Sequence, residues 1–103
     1  MKSKRDCKPY WRPQVVLKEG LYGIHEVHFD KKHNFEMVTV NRLTPGFDSV
    51  AKLKEFIDEK YKAKKGVVVG ESGYSYYKAD MIMWLNHIHE HPWDYDTEKQ
   101  IVE

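Results

Sequence analysis

Two β-rich runs separated by a short polar loop constrain the fold more than any other feature of this sequence. Residues 21–29 and 35–41 are rich in aliphatic and aromatic side chains, and residues 30–34 between them are polar. This pattern predicts a β-hairpin. If Phe29 opposes Phe35, the next pairs on that face are Val27 with Met37 and His25 with Thr39. Both faces of the hairpin then carry apolar residues, so we expect helices to cover one face and the other to be partly covered.

Two helices are predicted after the hairpin. Apolar residues recur at spacings of three and four between positions 50 and 61, which indicates a helix with one buried stripe. We expect Asp48 or Ser49 to be its N-cap and the helix to run to about Lys65. A second helix is predicted over residues 79–91, because Pro92 cannot continue it.

Short strands complete the predicted elements, at residues 14–17 and 67–69. The order of strand, hairpin, helix, strand and helix is typical of the α+β class. We therefore expect a small, mostly antiparallel sheet, made of the hairpin and one or two short strands, that is packed by two helices.

Length and composition favour a single domain. The chain has 103 residues, of which 41% are hydrophobic and 32% charged, so it can bury one core. No apolar run reaches the roughly 18 residues that a membrane span needs. Residues 1–13 are predicted to form a basic arm rich in proline and aromatic residues, and residues 14–103 to form the α+β domain with an acidic C-terminal tail.

Residues 22–30, with the sequence YGIHEVHFD, resemble the opening of some small, functionally uncharacterised bacterial and phage domains. The shared pattern is an aromatic residue, glycine and an aliphatic residue, followed by Glu-Val and an aromatic residue before Asp. With the following helix, the likeness covers about a third of the chain. The resemblance implies a hairpin followed by a helix, and it implies no particular activity.

The near-neutral net charge of +1 hides a gradient along the chain. Residues 1–18 contain six basic residues and one acidic residue, whereas residues 66–103 contain two basic and seven acidic residues. Such a polarised chain can pair head to tail or offer its basic end to an anionic partner. The single cysteine, Cys7, cannot form an intramolecular disulfide, and the N-terminus has no apolar signal segment, so we expect a cytoplasmic protein without a membrane partner.

Six residues near the two ends of the chain are predicted to form an interaction surface: Tyr10, Trp11, Arg12, Tyr76, Trp93 and Tyr95. Aromatic residues and arginine are enriched at the centres of protein interfaces. No complete catalytic set is recognisable, so we expect a non-enzymatic binding domain whose partner is another protein or a second copy of the chain. Alternatively, the aromatic pair beside Arg12 could stack on the bases of a single-stranded nucleic acid.

A further alternative is a metal-binding protein, hydrolase-like or metal-sensing, that uses the helical pair His87 and His91. In a helix over residues 79–91, His87 and His91 are four residues apart and share a stripe with Asp80, an arrangement that suits zinc or another divalent transition metal. The glutamate that follows the first histidine in metalloproteases is absent, because Ile88 occupies its place. Histidines near a helix end also interact favourably with the helix dipole without any metal.

Overall fold

The computed structural model describes residues 8–63, 68–69 and 75–102. They form an α+β fold, as the sequence predicts, in which a curled five-stranded sheet is covered by helices. The elements in chain order are β1 (Tyr10–Lys18), β2 (Leu21–Phe29), β3 (Phe35–Val38), α1 (Val50–Lys62), β4 (Val68–Val69), β5 (Ser75–Tyr76), α2 (Lys78–His87), β6 (Trp93–Asp94) and β7 (Lys99–Gln100). The sheet order is β3-β2-β1-β6-β7, with β1 and β6 parallel and the other neighbours antiparallel, and β4 and β5 form a separate pair.

A tight turn joins β1 to β2. Lys18 pairs with Leu21, and the two residues between them, Glu19 and Gly20, have φ angles of 54° and 77°. Positive φ at both positions is the mark of a type I′ turn, whose twist matches that of the strands it connects. β1 begins at Tyr10 rather than at residue 14, so the last four residues of the predicted basic arm belong to the sheet. The first seven residues of the arm lie outside the described residues.

The predicted pairing of the β2–β3 hairpin is confirmed at its turn and wrong further along. Phe29 pairs with Phe35, but Val27 pairs with Val38 instead of Met37. The cause is an irregularity between His28 and Phe29, at which β3 contributes an additional residue. Such a bulge shifts the register by one residue and reverses the faces of the side chains beyond it.

Both helices pack on one face of the sheet. Ser49 caps α1, as predicted, with its hydroxyl accepting a hydrogen bond from the Lys52 N–H at 3.2 Å. The helix ends at Lys62, three residues before the predicted end at Lys65, which lies outside the described residues. The buried side chains between the helices and the sheet are Val15, Ile24, Leu43, Leu53, Ile57, Met81, Trp84 and Ile88. No helix in the described ranges is long and apolar enough to cross a membrane.

The second helix, α2, is shorter than predicted. It ends at His87, and the chain turns through Ile88, whose buried side chain contacts the core. The Glu90 N–H donates to the His87 carbonyl at 3.1 Å, which closes this turn. The prediction that the helix extends to His91 is therefore wrong. The turn directs the chain alongside β1, where it forms β6.

Candidate binding surface

The sheet face opposite the helices is concave. Trp93 on β6 stacks on Phe35 on β3, with ring centroids 4.8 Å apart and planes 16° apart. β1 and β2 lie between these strands, so three strand spacings, about 14 Å in a flat sheet, separate the two backbones. The rings meet because the sheet curls towards this side.

Five aromatic residues form what we call the concave aromatic face: Tyr10, Phe29, Phe35, Trp93 and Tyr95. The Tyr10 and Phe29 rings stack with centroids 5.2 Å apart, and Trp93 meets Phe29 edge-on at 6.5 Å. Phe29 is buried, and the other four side chains are only partly covered. The face therefore has a packed base and a half-exposed aromatic rim.

The predicted interaction residues are distributed over both faces of the sheet. Tyr10, Arg12, Trp93 and Tyr95 lie on the concave side. Trp11 faces the opposite way, because successive strand residues alternate between faces. Tyr76 belongs to β5, and its side chain is outside the described part of the structure. Phe35 completes the surface but could not be assigned to it from sequence, because its contact with Trp93 depends on the curl.

Two cations accompany the aromatic rings. The Arg12 guanidinium carbon lies 4.9 Å from the centroid of Phe29, and Lys18 Nζ lies 4.9 Å from the centroid of Tyr95. Lys18 also donates to the Val40 carbonyl at 2.7 Å, which fixes its position. The concave aromatic face thus carries positive charge near both ends of β1.

A polar network ties the end of α2 to β1. Gln14 is 1% exposed, and its Nε2 donates to Glu90 Oε1 at 2.9 Å. The other carboxylate oxygen of Glu90 accepts a hydrogen bond from His87 Nδ1. Burial by itself would raise the pKa of Glu90, but the hydrogen bonds from His87 and Gln14 and the charges of His87 and Arg12 together hold this pKa below its usual value.

The lowered pKa of Glu90 predicts a pH-dependent contribution to stability. Between the folded and unfolded pKa values the unfolded chain binds more protons, so stability rises with pH there. The contribution should be complete above the ordinary glutamate pKa of about 4.3 and lost as the pH falls through the folded value. In urea denaturation, Glu90→Gln should therefore be destabilised most at neutral pH, with the difference shrinking in acid.

Glu36→Gln is the control for this prediction, because Glu36 is an exposed carboxylate on β3. It should have little effect at any pH. A Glu90→Gln penalty that is unchanged from neutral to acidic pH would contradict the role assigned to the carboxylate.

Three buried polar atoms around this network have no hydrogen-bond partner within the described residues: Arg12 Nε, Gln14 Oε1 and Trp93 Nε1. Each such atom costs about 1–3 kcal/mol relative to a satisfied one, and folded proteins contain few of them.

The predicted metal ligands are not brought together by α2. Asp80 is in the first turn, where Oδ2 accepts a hydrogen bond from the Tyr77 N–H at 3.0 Å, and His87 is the last helical residue. The two residues are seven positions apart in the sequence, which is about 10.5 Å along the helix axis. His91 lies beyond the end of the helix. The prediction that His87 and His91 lie on one face of the same helix is therefore wrong. Across the described ranges, no group of three His, Cys, Asp or Glu residues is placed to hold a metal ion.

A second exposed row lies on the helix side of the sheet, beyond the helices. Trp11 pairs with His28 and His28 pairs with Met37, so the three side chains are neighbours across three strands. Trp11 is 45% exposed and Met37 is 46% exposed. The His28 ring forms a hydrogen bond from Nε2 to Glu26 Oε1, at 3.0 Å. Met37 had not been predicted for any surface, because the bulge sets its position.

Comparisons with family models, curated proteins and solved structures find no match to this chain.

Proposed function

We propose that this protein is a binding domain that recognises another protein through its concave aromatic face. The observation that carries the proposal is the convergence of Tyr10, Arg12, Trp93 and Tyr95 on one side of the curled sheet. Partly exposed aromatic rings supply large contact areas at low entropic cost, and arginine supplies donors beside them. These residue types carry most of the binding energy at protein interfaces.

The arrangement also indicates what the partner presents. Apolar side chains of the partner would cover the half-exposed rings. An acidic side chain would meet Arg12 or Lys18, which flank the rings at opposite ends of β1. The partner we expect is therefore a protein segment that combines apolar and acidic residues.

Ring stacking within the face favours a protein over a single-stranded nucleic acid. Base binding needs open ring faces. Tyr10 already stacks on Phe29 with planes 19° apart, and Trp93 stacks on Phe35. Each of these rings has one face occupied, so at most one face of each ring remains for a base.

A selection of binding segments from a random peptide library, followed by affinity measurements on variants, tests the proposal. The neighbouring residues Tyr10 and Trp11 on β1 offer a matched pair, because they point to opposite faces of the sheet. Tyr10→Ser should weaken a selected peptide by about tenfold, as loss of an interface aromatic does. Trp11→Ser should change the affinity by less than about twofold.

Three results would overturn the proposal. The first is a selected peptide whose affinity falls in the Trp11→Ser variant and is unchanged in the Tyr10→Ser variant. The second is binding of an oligothymidine with a steep loss of affinity in salt, which would identify a nucleic-acid partner instead. The third is a library that yields no ligand for a protein that light scattering shows to be a strict monomer. Self-association abolished by Tyr10→Ser would support the proposal with a second copy as the partner.

A further inference from the structure

The row of Trp11, His28 and Met37 brings an indole, an imidazole and a thioether together on the face of the sheet opposite the concave aromatic face. The register pairs Trp11 with His28 and His28 with Met37. Directly opposed residues of neighbouring strands have Cβ atoms about 4.5–5.5 Å apart, so the indole and the thioether can meet over the imidazole between them. Trp11 and Met37 are 45% and 46% exposed, which leaves this place open to solvent.

The imidazole of His28 is fixed by a carboxylate. Its Nε2 lies 3.0 Å from Glu26 Oε1, and the two side chains are 31% and 28% exposed. Because a carboxylate only accepts hydrogen bonds, Nε2 carries the proton, and in the neutral ring Nδ1 keeps its lone pair. Nδ1 has no hydrogen-bond partner in the part of the chain that the structure describes. A carboxylate that accepts from one ring nitrogen is the usual way in which proteins orient a histidine whose other nitrogen binds a metal.

The charge beside the row is negative. Glu26 lies two residues before His28, on the same face of β2. Across the sheet its neighbours are Pro13 on β1 and Thr39, which follows β3, so neither of them is basic. Among residues 8–63, 68–69 and 75–102, Glu26 has no ion pair with a lysine or an arginine. The row is therefore suited to a cation.

We infer that the row binds a soft monovalent cation, Cu(I), between His28 Nδ1 and Met37 Sδ, with the Trp11 ring against the ion. Imidazole is a ligand for copper, and thioethers select Cu(I) over harder ions. The negative face of an indole attracts a cation more strongly than any other aromatic side chain does. A structural zinc site takes four thiolate or imidazole ligands, whereas the row supplies a single imidazole.

The test titrates Ag(I), a redox-stable analogue of Cu(I), into the Cys7→Ser protein, because the thiolate of Cys7 would otherwise compete for a soft metal. In NMR spectra, Ag(I) should shift the Met37 methyl and His28 ring resonances, and Cu(I) kept reduced with ascorbate should shift the same resonances. Met37→Leu and His28→Gln should each weaken Ag(I) binding by more than about tenfold, and Glu26→Gln by about tenfold. Trp11→Leu should weaken it by about two- to fivefold.

Met83→Leu is the matched control, because Met83 lies on α2 and is 45% exposed, like Met37. This variant should bind Ag(I) as the Cys7→Ser protein does. Unchanged affinity in Met37→Leu, equal weakening by Met83→Leu, or no shift of the Met37 methyl would overturn the inference. Zn(II) that shifts the same resonances with equal affinity would contradict the assignment of a soft ion. Tyr10→Ser should leave Ag(I) binding unchanged, so the outcome does not depend on the concave aromatic face.

Discussion

Trp84→Ala should lower the free energy of unfolding by about 3–5 kcal/mol, the usual cost of removing a fully buried large aromatic side chain. Trp84 is 1% exposed and lies on α2 in the core between the helices and the sheet, together with Met81 and Leu53. Alanine would leave a cavity that these neighbours cannot fill. Because domains of this size are stable by only about 5–15 kcal/mol, a large part of the total would be lost. Urea denaturation followed by circular dichroism measures the difference.

Trp11→Ala is the matched control, because it removes the same side chain from a site that is 45% exposed. It should cost less than about 1 kcal/mol. Equal destabilisation by the two variants would contradict the placement of α2 on the sheet.

Trp93→Ala should have the second largest effect, about 2–3 kcal/mol, because its half-buried ring contributes apolar area and two aromatic contacts. The ring connects β6 to β3 through Phe35 and contacts Phe29 from the edge. Without it, the curl of the sheet loses its main side-chain support. We therefore expect faster hydrogen exchange at the Tyr95 amide, which donates to the Leu17 carbonyl at 3.0 Å.

Trp93→Phe is the control, because it retains an aromatic ring that can still stack on Phe35. It should restore at least half of the stability lost in Trp93→Ala and most of the protection at Tyr95. If Trp93→Ala leaves both the free energy of unfolding and the exchange rate of the Tyr95 amide unchanged, the ring does not stabilise the curl of the sheet.

The elements with strong local signals could be predicted from sequence. The alternation of residue types around Phe29 and Phe35 predicts the hairpin. The apolar stripe after Ser49 predicts α1 and its N-cap. These signals are local, because strand alternation and helix periodicity arise within a few residues. The bulge in the hairpin has no such signal, so the pairing of Val27 was predicted one residue out of register.

The candidate binding surface could be predicted in part. Tyr10, Trp93 and Tyr95 were identified by residue type, but their common location depends on β6. This strand has two residues and pairs in parallel with a strand more than 70 residues earlier in the chain. A two-residue strand has no recognisable periodicity, and a parallel pairing at such separation leaves no local pattern. Phe35 was missed for the same reason.

The histidine cluster illustrates how a long-range contact overrides a local pattern. His87 and His91 have helical spacing in the sequence, and Pro92 is a plausible helix end. In the structure, Glu90 bonds to both His87 and Gln14, so the chain leaves the helix four residues early. The pairing of Glu90 with Gln14 on β1 could not be inferred from the residues between positions 79 and 91.

Fluorine NMR on protein labelled with 5-fluorotryptophan tests the central claim most directly, because the chain has three tryptophans in three environments. Trp93 is on the concave aromatic face, Trp11 is on the opposite face, and Trp84 is in the core. Single Trp→Phe variants assign the three resonances. Addition of a peptide selected for binding should shift the Trp93 resonance and leave those of Trp11 and Trp84 in place. A shift of the Trp11 resonance with Trp93 unchanged would contradict the assignment of the binding surface.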